Sequence, residues 1–386
     1  MRTAGIIAEY NPFHNGHRYQ IEMLRRQGFE QIVIALSGNF VQRGEPAIYD
    51  KWTRTRAALL NGADLVVEIP IRAVLSSAQG FATGAVAVLE QLGVVDTLCF
   101  GSESGDLSLL QRAASLLRQP QMQYALQSRL KTGATYAALL QQAVQSVDNE
   151  LAGVLSDPND TLGVEYLNAL YKMHSNMQPY ALHRHYVGHH DLALQDGFAA
   201  AAFIRSLIYA HTSYAVLVPE SAAPLYEAAQ PARLEHAGSA ILWKMRQMRK
   251  DDFARLTGLS EGLQNRLYAA ARQAGTLETF YMLCKTKRYT MARLKRLTLQ
   301  AVLPLPDLAS PYIRVLGFSA RGERLLKSVK HNARLPVVTS YRGAVHRGPA
   351  ARTYYEQTAA CTDFYTLCTA HPCPCGLEMR QSVVKI

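Results

Sequence analysis

Apolar and polar positions through the first hundred residues switch repeatedly between two patterns. Short apolar runs at residues 5–9, 32–36, 65–69 and 94–100, each closed by polar or turn-forming residues, read as strands. Between them, apolar positions recur at helical spacing over 17–26, 50–61 and 78–92, and Gly93 stops the last of these helices. Such alternation predicts an α/β fold with a parallel sheet. Ligands of open parallel sheets gather beyond the carboxyl ends of the strands, so the segments after the first three strands are expected to converge on one crevice.

Further along, residues 106–147 are rich in Leu, Ala and Gln and read as helical scaffold. Residues 180–186 predict another strand and 218–299 a mainly helical region. From Pro306 the pattern gives a strand at 313–316, a helix at 320–329 and a turn-rich end. The chain is thereby divided into 1–215, 216–305 and 306–386, the last a C-terminal α/β segment, with no internal repeat.

Composition changes the picture in three respects. A formal net charge of +11 over 386 residues favours a polyanionic partner, although charge alone moves the balance only modestly towards nucleic acid. No apolar run is long enough to span a bilayer and no signal-peptide core follows Arg2, so a cytoplasmic protein without membrane contact is expected. Cys99 and Cys284 stand alone, whereas Cys361, Cys368, Cys373 and Cys375 crowd the tail around His371. Their spacing, broken by Pro372 and Pro374, fits no zinc frame. Reduced thiols are the expectation, and no metal site is assigned.

Candidate chemistry concentrates in Ile7-Ala8-Glu9-Tyr10-Asn11-Pro12-Phe13-His14-Asn15-Gly16-His17, where an apolar strand breaks at Asn11-Pro12 and two histidines around a glycine open the next helix. A helix amino terminus offers unpaired N–H groups and a positive dipole end to an anion. Gly16 lets backbone come close, and His14 and His17 can both donate to phosphate oxygens. This pattern points to nucleotidyl transfer, two imidazoles stabilising charge on an α-phosphate as pyrophosphate leaves. A metal-binding histidine pair is the competing reading, but zinc helices favour wider spacing with a Glu between. Arg43, Lys51, Arg54 and Arg56 are candidates to hold a triphosphate, a solvated helix face being the alternative for the last two. Glu68 and Glu103, at strand ends, take no assigned role.

Residues 8–17 resemble the His-x-Gly-His signature of the nucleotidyltransferase superfamily and, in extended form, the tRNA(Met) cytidine acetate ligase family. The resemblance continues through Ser37-Gly38-Asn39-Phe40-Val41-Gln42-Arg43-Gly44-Glu45-Pro46-Ala47, Gly62-Ala63-Asp64-Leu65-Val66-Val67-Glu68-Ile69-Pro70 and Phe100-Gly101-Ser102-Glu103, and covers most of the chain. It implies a Rossmann-like nucleotidyltransferase domain followed by a mainly helical RNA-binding region. It further implies an ATP-dependent ligase that activates acetate as acetyl-adenylate and acetylates N4 of the wobble cytidine of elongator tRNA(Met). ATP is then a co-substrate, Mg²⁺ accompanies it, and no protein partner is implied. On this resemblance Ile7, Glu9, Tyr10, Asn11, Pro12, Phe13, His14, Asn15, Gly16, His17, Gly101, Asn159 and Arg184 bind ATP, while His14, His17 and Arg205 are catalytic. The histidines at 183, 185, 189 and 190 read as a wet strand end rather than a metal site.

Lys285-Thr286-Lys287-Arg288-Tyr289-Thr290-Met291-Ala292-Arg293-Leu294-Lys295-Arg296 holds six cations. Read as a helix, it places Lys285, Arg288 and Lys295 on one face, Arg293 and Arg296 near it, and Tyr289 where it can stack on a base. Similar segments mark the family's proposed tRNA surface, so Lys285, Lys287, Arg288, Tyr289, Arg293 and Arg296 are the candidate tRNA-binding residues. Lys244, Arg246, Arg249 and Lys250 would extend the same surface.

Three positions depart from the family pattern. Asp160 stands where the second Asn of Pro-Asn-Asn is expected, and Ala200 and Ala202 stand where Ser and Thr are. Each lost hydroxyl hydrogen bond is ordinarily worth about 0.5–1.5 kcal/mol, so the phosphate site is expected to be weakened rather than lost, Arg205 being kept. Two other readings stay open. One is a small-molecule nucleotidyltransferase, for which the basic region has no obvious purpose; the other is a tRNA-binding protein with a degenerate nucleotide site.

Overall fold

The computed structural model of the chain describes residues 2–129, 136–184, 197–259, 262–306 and 309–386. Its strands are β1 (Thr3–Ala8), β2 (Gln31–Ser37), β3 (Phe40–Val41), β4 (Glu45–Pro46), β5 (Leu65–Ile69), β6 (Thr97–Ser102), β7 (Gln178–His183), β8 (Ile313–Phe318), β9 (Val337–Val338) and β10 (Val384–Lys385). The helices that matter here are α1 (Asn15–Arg26), α2 (Lys51–Leu60), α3 (Ala78–Leu92), α4 (Pro158–Lys172), α5 (Ala201–Tyr209), α6 (Gly238–Gln247), α7 (Leu263–Gln273), α8 (Leu277–Cys284), α9 (Met291–Val302), α10 (Ala320–Asn332) and α11 (Pro349–Thr366).

One mainly parallel sheet runs in the order β10-β8-β5-β2-β1-β6-β7, with β9 beside β8. Among the described residues only β5 and β8 pair antiparallel within this sheet, β3 and β4 forming a separate antiparallel hairpin. Alternation along β2 shows why the strands look continuously apolar: Ile32, Ile34 and Leu36 enter the core that holds Ile21 and Leu24 of α1 and Ile204 of α5. Val33 and Ala35 face the opposite core, with Phe81 and Leu89 of α3 and Leu167 of α4. Helices therefore cover both faces, as a parallel sheet requires.

Among the described residues the segment from 306 onward builds no separate sheet. Its β8 and β10 extend the sheet begun by residues 1–215, and α10 packs Leu325 and Val329 into the same core as α3. The intervening helices α6 to α9 build a third core around Ile241, Leu267, Phe280 and Leu294, which Phe40 of β3 and Tyr365 of α11 also enter. This core ties the helical region to the short β3–β4 hairpin.

The expected helix through 285–296 is broken over its first half and helical only from Met291. α8 ends at Cys284, and the next helix starts at Met291. The Thr286 hydroxyl accepts the N–H groups of Arg288 and Tyr289 at 3.2 Å each, and Thr290 caps α9 through the Arg293 N–H at 3.4 Å. Threonine side chains thus take the amides that a continuous helix would need. The expected strand at 180–186 ends at His183, and His185, His189 and His190 lie outside the described residues.

Candidate active site

The turn after β1 is locked by its own side chains. His14 is the N-cap of α1: its Nδ1 accepts the Gly16 N–H at 3.1 Å, while the His14 N–H donates to Nδ1 of His17 at 3.2 Å. A Cβ at Gly16 would lie 2.9 Å from the His14 ring, so this cap needs glycine. Both Nδ1 atoms act as acceptors, so each neutral imidazole carries its proton on Nε2. Two Nε2–H donors are therefore left for a ligand at the amino end of α1.

Both rings are held neutral. Burial, then the Arg184 and Arg205 guanidiniums, pull the His14 pKa down to about 3. Burial, then His14 and Arg184, put that of His17 well below its ordinary value.

The two histidines open on a cavity of about 400 Å³ at the carboxyl ends of β1, β6 and β7, where the topology predicts one. Ile7, Glu9, Tyr10, Asn11, Gly16, Gly101, Asn159, Arg184 and Arg205 are also on its wall. Its apolar side carries Phe81, Phe100, Leu162, Tyr166 and Leu182, a surface suited to a flat aromatic base.

Arg205, one turn into α5, donates to the Asn11 carbonyl at 2.6 Å and so fixes the strand-to-helix turn. α5 starts beside the cavity at Ala200, its N-cap, which supplies no side-chain cap; Ala199 to Ala202 line the wall. The Phe203 and Ile204 N–H groups donate to the Ala200 carbonyl at 2.9 and 3.2 Å, so the amides of this helix end that can meet an anion are those of Ala201 and Ala202. Arg184 follows β7 and lays its stem across Gly101, where a Cβ would lie 3.3 Å from Arg184 Cγ.

Other expected site residues serve the frame. Pro12, Phe13 and Asn15 are not on the cavity wall. Asn15 gives its amide hydrogens to the carbonyls of Gly197 at 2.8 Å and Val216 at 2.9 Å, and Phe13 is buried with its carbonyl accepting the Tyr226 hydroxyl at 2.9 Å. Lys51 does not reach a triphosphate: it is buried between Glu68 and Glu378, each 2.7 Å away. Arg54 is also fully buried, holding the carbonyls of Tyr49, Ser37 and Gly38 and, at 2.5 Å, that of Glu9. Arg56 is exposed.

Asn159 donates to Glu103, and the other Glu103 oxygen accepts the Asp160 N–H at 3.0 Å, so Glu103 caps α4. Asp160, the departure from Pro-Asn-Asn, is buried and accepts from Ser102 Oγ at 2.5 Å and from the amides of Glu103 and Ser104 at 3.0 Å. A carboxylate serves there because all its partners are donors.

Arg43, a triphosphate candidate from the sequence, does reach the site, carried there by the β3–β4 hairpin, which the strand pattern did not predict. Gln42, Arg43 and Glu45 line the cavity, and the Gln42 N–H donates to Glu9 at 2.7 Å. Burial raises the Glu9 pKa against the opposing pull of that amide and of Arg43, Arg205 and Arg54. Gly44, at φ +79°, was the available signal: α9 backbone fills the space a side chain would need.

Of the candidate tRNA-binding residues, Lys285 and Lys287 are exposed and Arg288 is half-buried. Tyr289 is buried and flanked by Arg288 and Arg293, so it cannot stack on a base. Arg293 donates to the Gly258 carbonyl and Arg296 to that of Gln42.

The family profile described as HIGH nucleotidyl transferase matches residues 1–377. Proteins named tRNA(Met) cytidine acetate ligase from Thermoanaerobacter sp. (strain X514) and Caldanaerobacter subterraneus subsp. tengcongensis are 34% and 35% identical, with all of both chains covered in each case. The chain belongs to the tRNA(Met) cytidine acetate ligase family. Its fold agrees: the crystal structure of apo Thermotoga maritima TmcAL superposes with a TM-score of 0.90 at 31% identity, covering all of both chains. A second crystal structure of that acetate ligase, bound with alpha-thio ATP, superposes with a TM-score of 0.89. No helix among the described residues is long and apolar enough to cross a membrane.

Proposed function

We propose that this chain adenylates acetate with ATP and transfers the acetyl group to N4 of the wobble cytidine of elongator tRNA(Met). The carrying observation is the pair of Nε2–H donors fixed by the His14–His17 cap, in a chain whose full-length relatives bear the acetate ligase name. An acetate oxygen attacks the α-phosphorus, the bond to the β,γ-diphosphate breaks, and pyrophosphate leaves. His14 and His17 donate to the α-phosphate oxygens as charge accumulates there, while Arg184, Arg205 and the start of α5 neutralise the remaining phosphate charge. The cytidine N4 then attacks the acetyl carbon of the mixed anhydride, AMP leaves with the anhydride oxygen, and N4 gives up one proton. Adenylation is required because acetate alone would have to expel oxide.

The apolar wall from Phe81 to Leu182 takes the adenine in this reading, with Gly101 and Asn159 beside it. Among the described residues no group of three His, Cys, Asp or Glu is assembled to hold a metal, so Mg²⁺ would be carried by the phosphates and would supply charge neutralisation to pyrophosphate. Residues 216–305 provide the tRNA surface, led by Lys285, Lys287 and Arg288. The protein is incubated with ATP, labelled acetate and bulk tRNA, and the tRNA is digested to nucleosides for mass spectrometry. Label in N4-acetylcytidine supports the reading; its absence, with an active relative run alongside, refutes it.

A further inference from the structure

The chain has two tryptophans, Trp52 and Trp243. Trp52 is 4% exposed in the core; Trp243, on α6, is 63% exposed and is the most exposed tryptophan or phenylalanine among the described residues. Among the described residues neither a ring nor a cation is stacked on the Trp243 indole. Leaving that much aromatic surface in water is unfavourable unless something covers it.

The surroundings of Trp243 say what would cover it. From Trp243 to Arg255 the chain carries five cations, Lys244, Arg246, Arg249, Lys250 and Arg255, against Asp251 and Asp252. Asp252 is occupied locally, accepting the Arg249 N–H at 2.8 Å. Arg246 is fixed by the carbonyls of Ala271 at 3.1 Å and Ala274 at 2.7 Å. Arg272 of α7 donates to the carbonyls of Arg246 at 3.2 Å and Met248 at 3.0 Å and lies 3.5 Å over the Tyr268 ring. Two guanidiniums are thus positioned at the end of the helix that presents the indole, and α6 shares its core with α9 through Ile241, Leu242 and Met245 packed with Leu294 and Leu297. An exposed aromatic face beside pre-positioned cations is the arrangement that binds unpaired nucleotides: the ring stacks on a base and the cations meet the phosphates.

We infer that Trp243 is a stacking platform for an unpaired base of the bound tRNA, with Arg246, Arg272 and Lys244 taking flanking phosphates. This rests on the tRNA reading above and replaces the stacking role that buried Tyr289 cannot fill. The test is a titration of bulk tRNA into the full-length protein at low salt, followed by filter binding and by tryptophan emission, with a blunt RNA duplex of equal length in parallel. tRNA is expected to quench Trp243, the duplex is not, and Trp243→Phe, which retains only buried Trp52, should lose the quench. Trp243→Ala should weaken tRNA binding about 5- to 100-fold, with tRNA-independent acetyl-adenylate formation unchanged. If Trp243→Ala retains wild-type tRNA affinity and bound tRNA leaves the emission unaltered, the inference is overturned while the tRNA reading stands. If wild-type protein binds no tRNA by filter assay, both fall. A concentration-dependent emission change without RNA, with dimers in sedimentation that Trp243→Ala abolishes, would assign the indole to a second copy of the chain and overturn the inference.

Discussion

The rings of His14 and His17 stack with their centroids 3.8 Å apart and 29° between planes. Stacked this closely, two imidazolium charges would repel, so the pair serves as two neutral donors rather than two cations. Each donates from Nε2 because the helix cap occupies Nδ1. On the proposed function, replacing either ring by alanine removes one donor to the transferring phosphate, and loss of such a donor costs on the order of 10²- to 10³-fold in turnover. His14→Ala and His17→Ala are therefore expected to depress acetate-dependent pyrophosphate release by that factor while leaving tRNA retention on filters near wild type. Equal losses in both assays would show that the histidines hold the fold rather than the phosphate.

The same burial makes stability depend on pH in a definite direction. An unfolded chain protonates its histidines near 6.5, whereas folded His14 resists protonation down to about 3. Between these values the unfolded state binds more protons, so stability is fully present above pH 6.5 and is lost as pH falls towards 3. A fully buried histidine contributes about 1.4 kcal/mol per pH unit in that window. Apparent Tm should fall from pH 6.5 to 4.5, and His14→Gln should show a shallower slope over the same interval. Parallel slopes would mean that His14 is not held neutral.

Lys51 offers a stability test away from the cavity. Its ammonium lies 2.7 Å from both Glu68 and Glu378, with Arg314 3.6 Å from Glu378. Burial works to raise the Glu378 pKa, but Lys51 and Arg314 outweigh it and hold the carboxyl below its ordinary value. Removing one partner of a buried charge pair costs about 3–5 kcal/mol, because the other charge is left without compensation. Lys51→Met should lower the unfolding free energy in urea by that amount, and adding Glu378→Gln should recover part of it. A loss below about 1 kcal/mol would show that water enters the site and replaces the pairing.

How far the sequence foretold this molecule depends on whether the deciding contacts are local. β5 and α3 fall where the apolar pattern puts them, and the Gly93 stop is a left-handed C-cap. A helix opening beside His14 and His17 was legible, but its start at Asn15 and its capping by the two histidines were not read from the sequence. Lys51 was misjudged because Glu378, 327 residues away, decides its environment. Joining of the final segment to the first sheet was hidden for the same reason: strand pattern gives period and length, but the antiparallel partner of β8 is chosen by packing. The helix break at 286–290 was local and could have been read, since two threonines there compete for backbone amides.

Arg296 donates to the Gln42 carbonyl at 3.1 Å, and Lys295 pairs with Glu45, so two cations of α9 hold the hairpin that walls the cavity. The next link is the Gln42 N–H to Glu9 at 2.7 Å. The basic segment therefore divides in two: Lys285 and Lys287 point to solvent, whereas Lys295 and Arg296 hold the hairpin that walls the cavity, and the proposed function expects the two pairs to affect different steps. Lys285→Ala with Lys287→Ala should weaken tRNA binding and reduce its salt dependence by about one to two phosphate contacts, leaving the ATP step alone. Lys295→Ala or Arg296→Ala should instead raise the apparent KM for ATP by about 2- to 10-fold, the size expected for losing a partly exposed ionic hydrogen bond. The split is measured by pyrophosphate release without tRNA and by filter binding without ATP. If Lys295→Ala leaves the first assay unchanged and impairs only the second, α9 contacts tRNA directly and its hold on the hairpin has no bearing on the nucleotide.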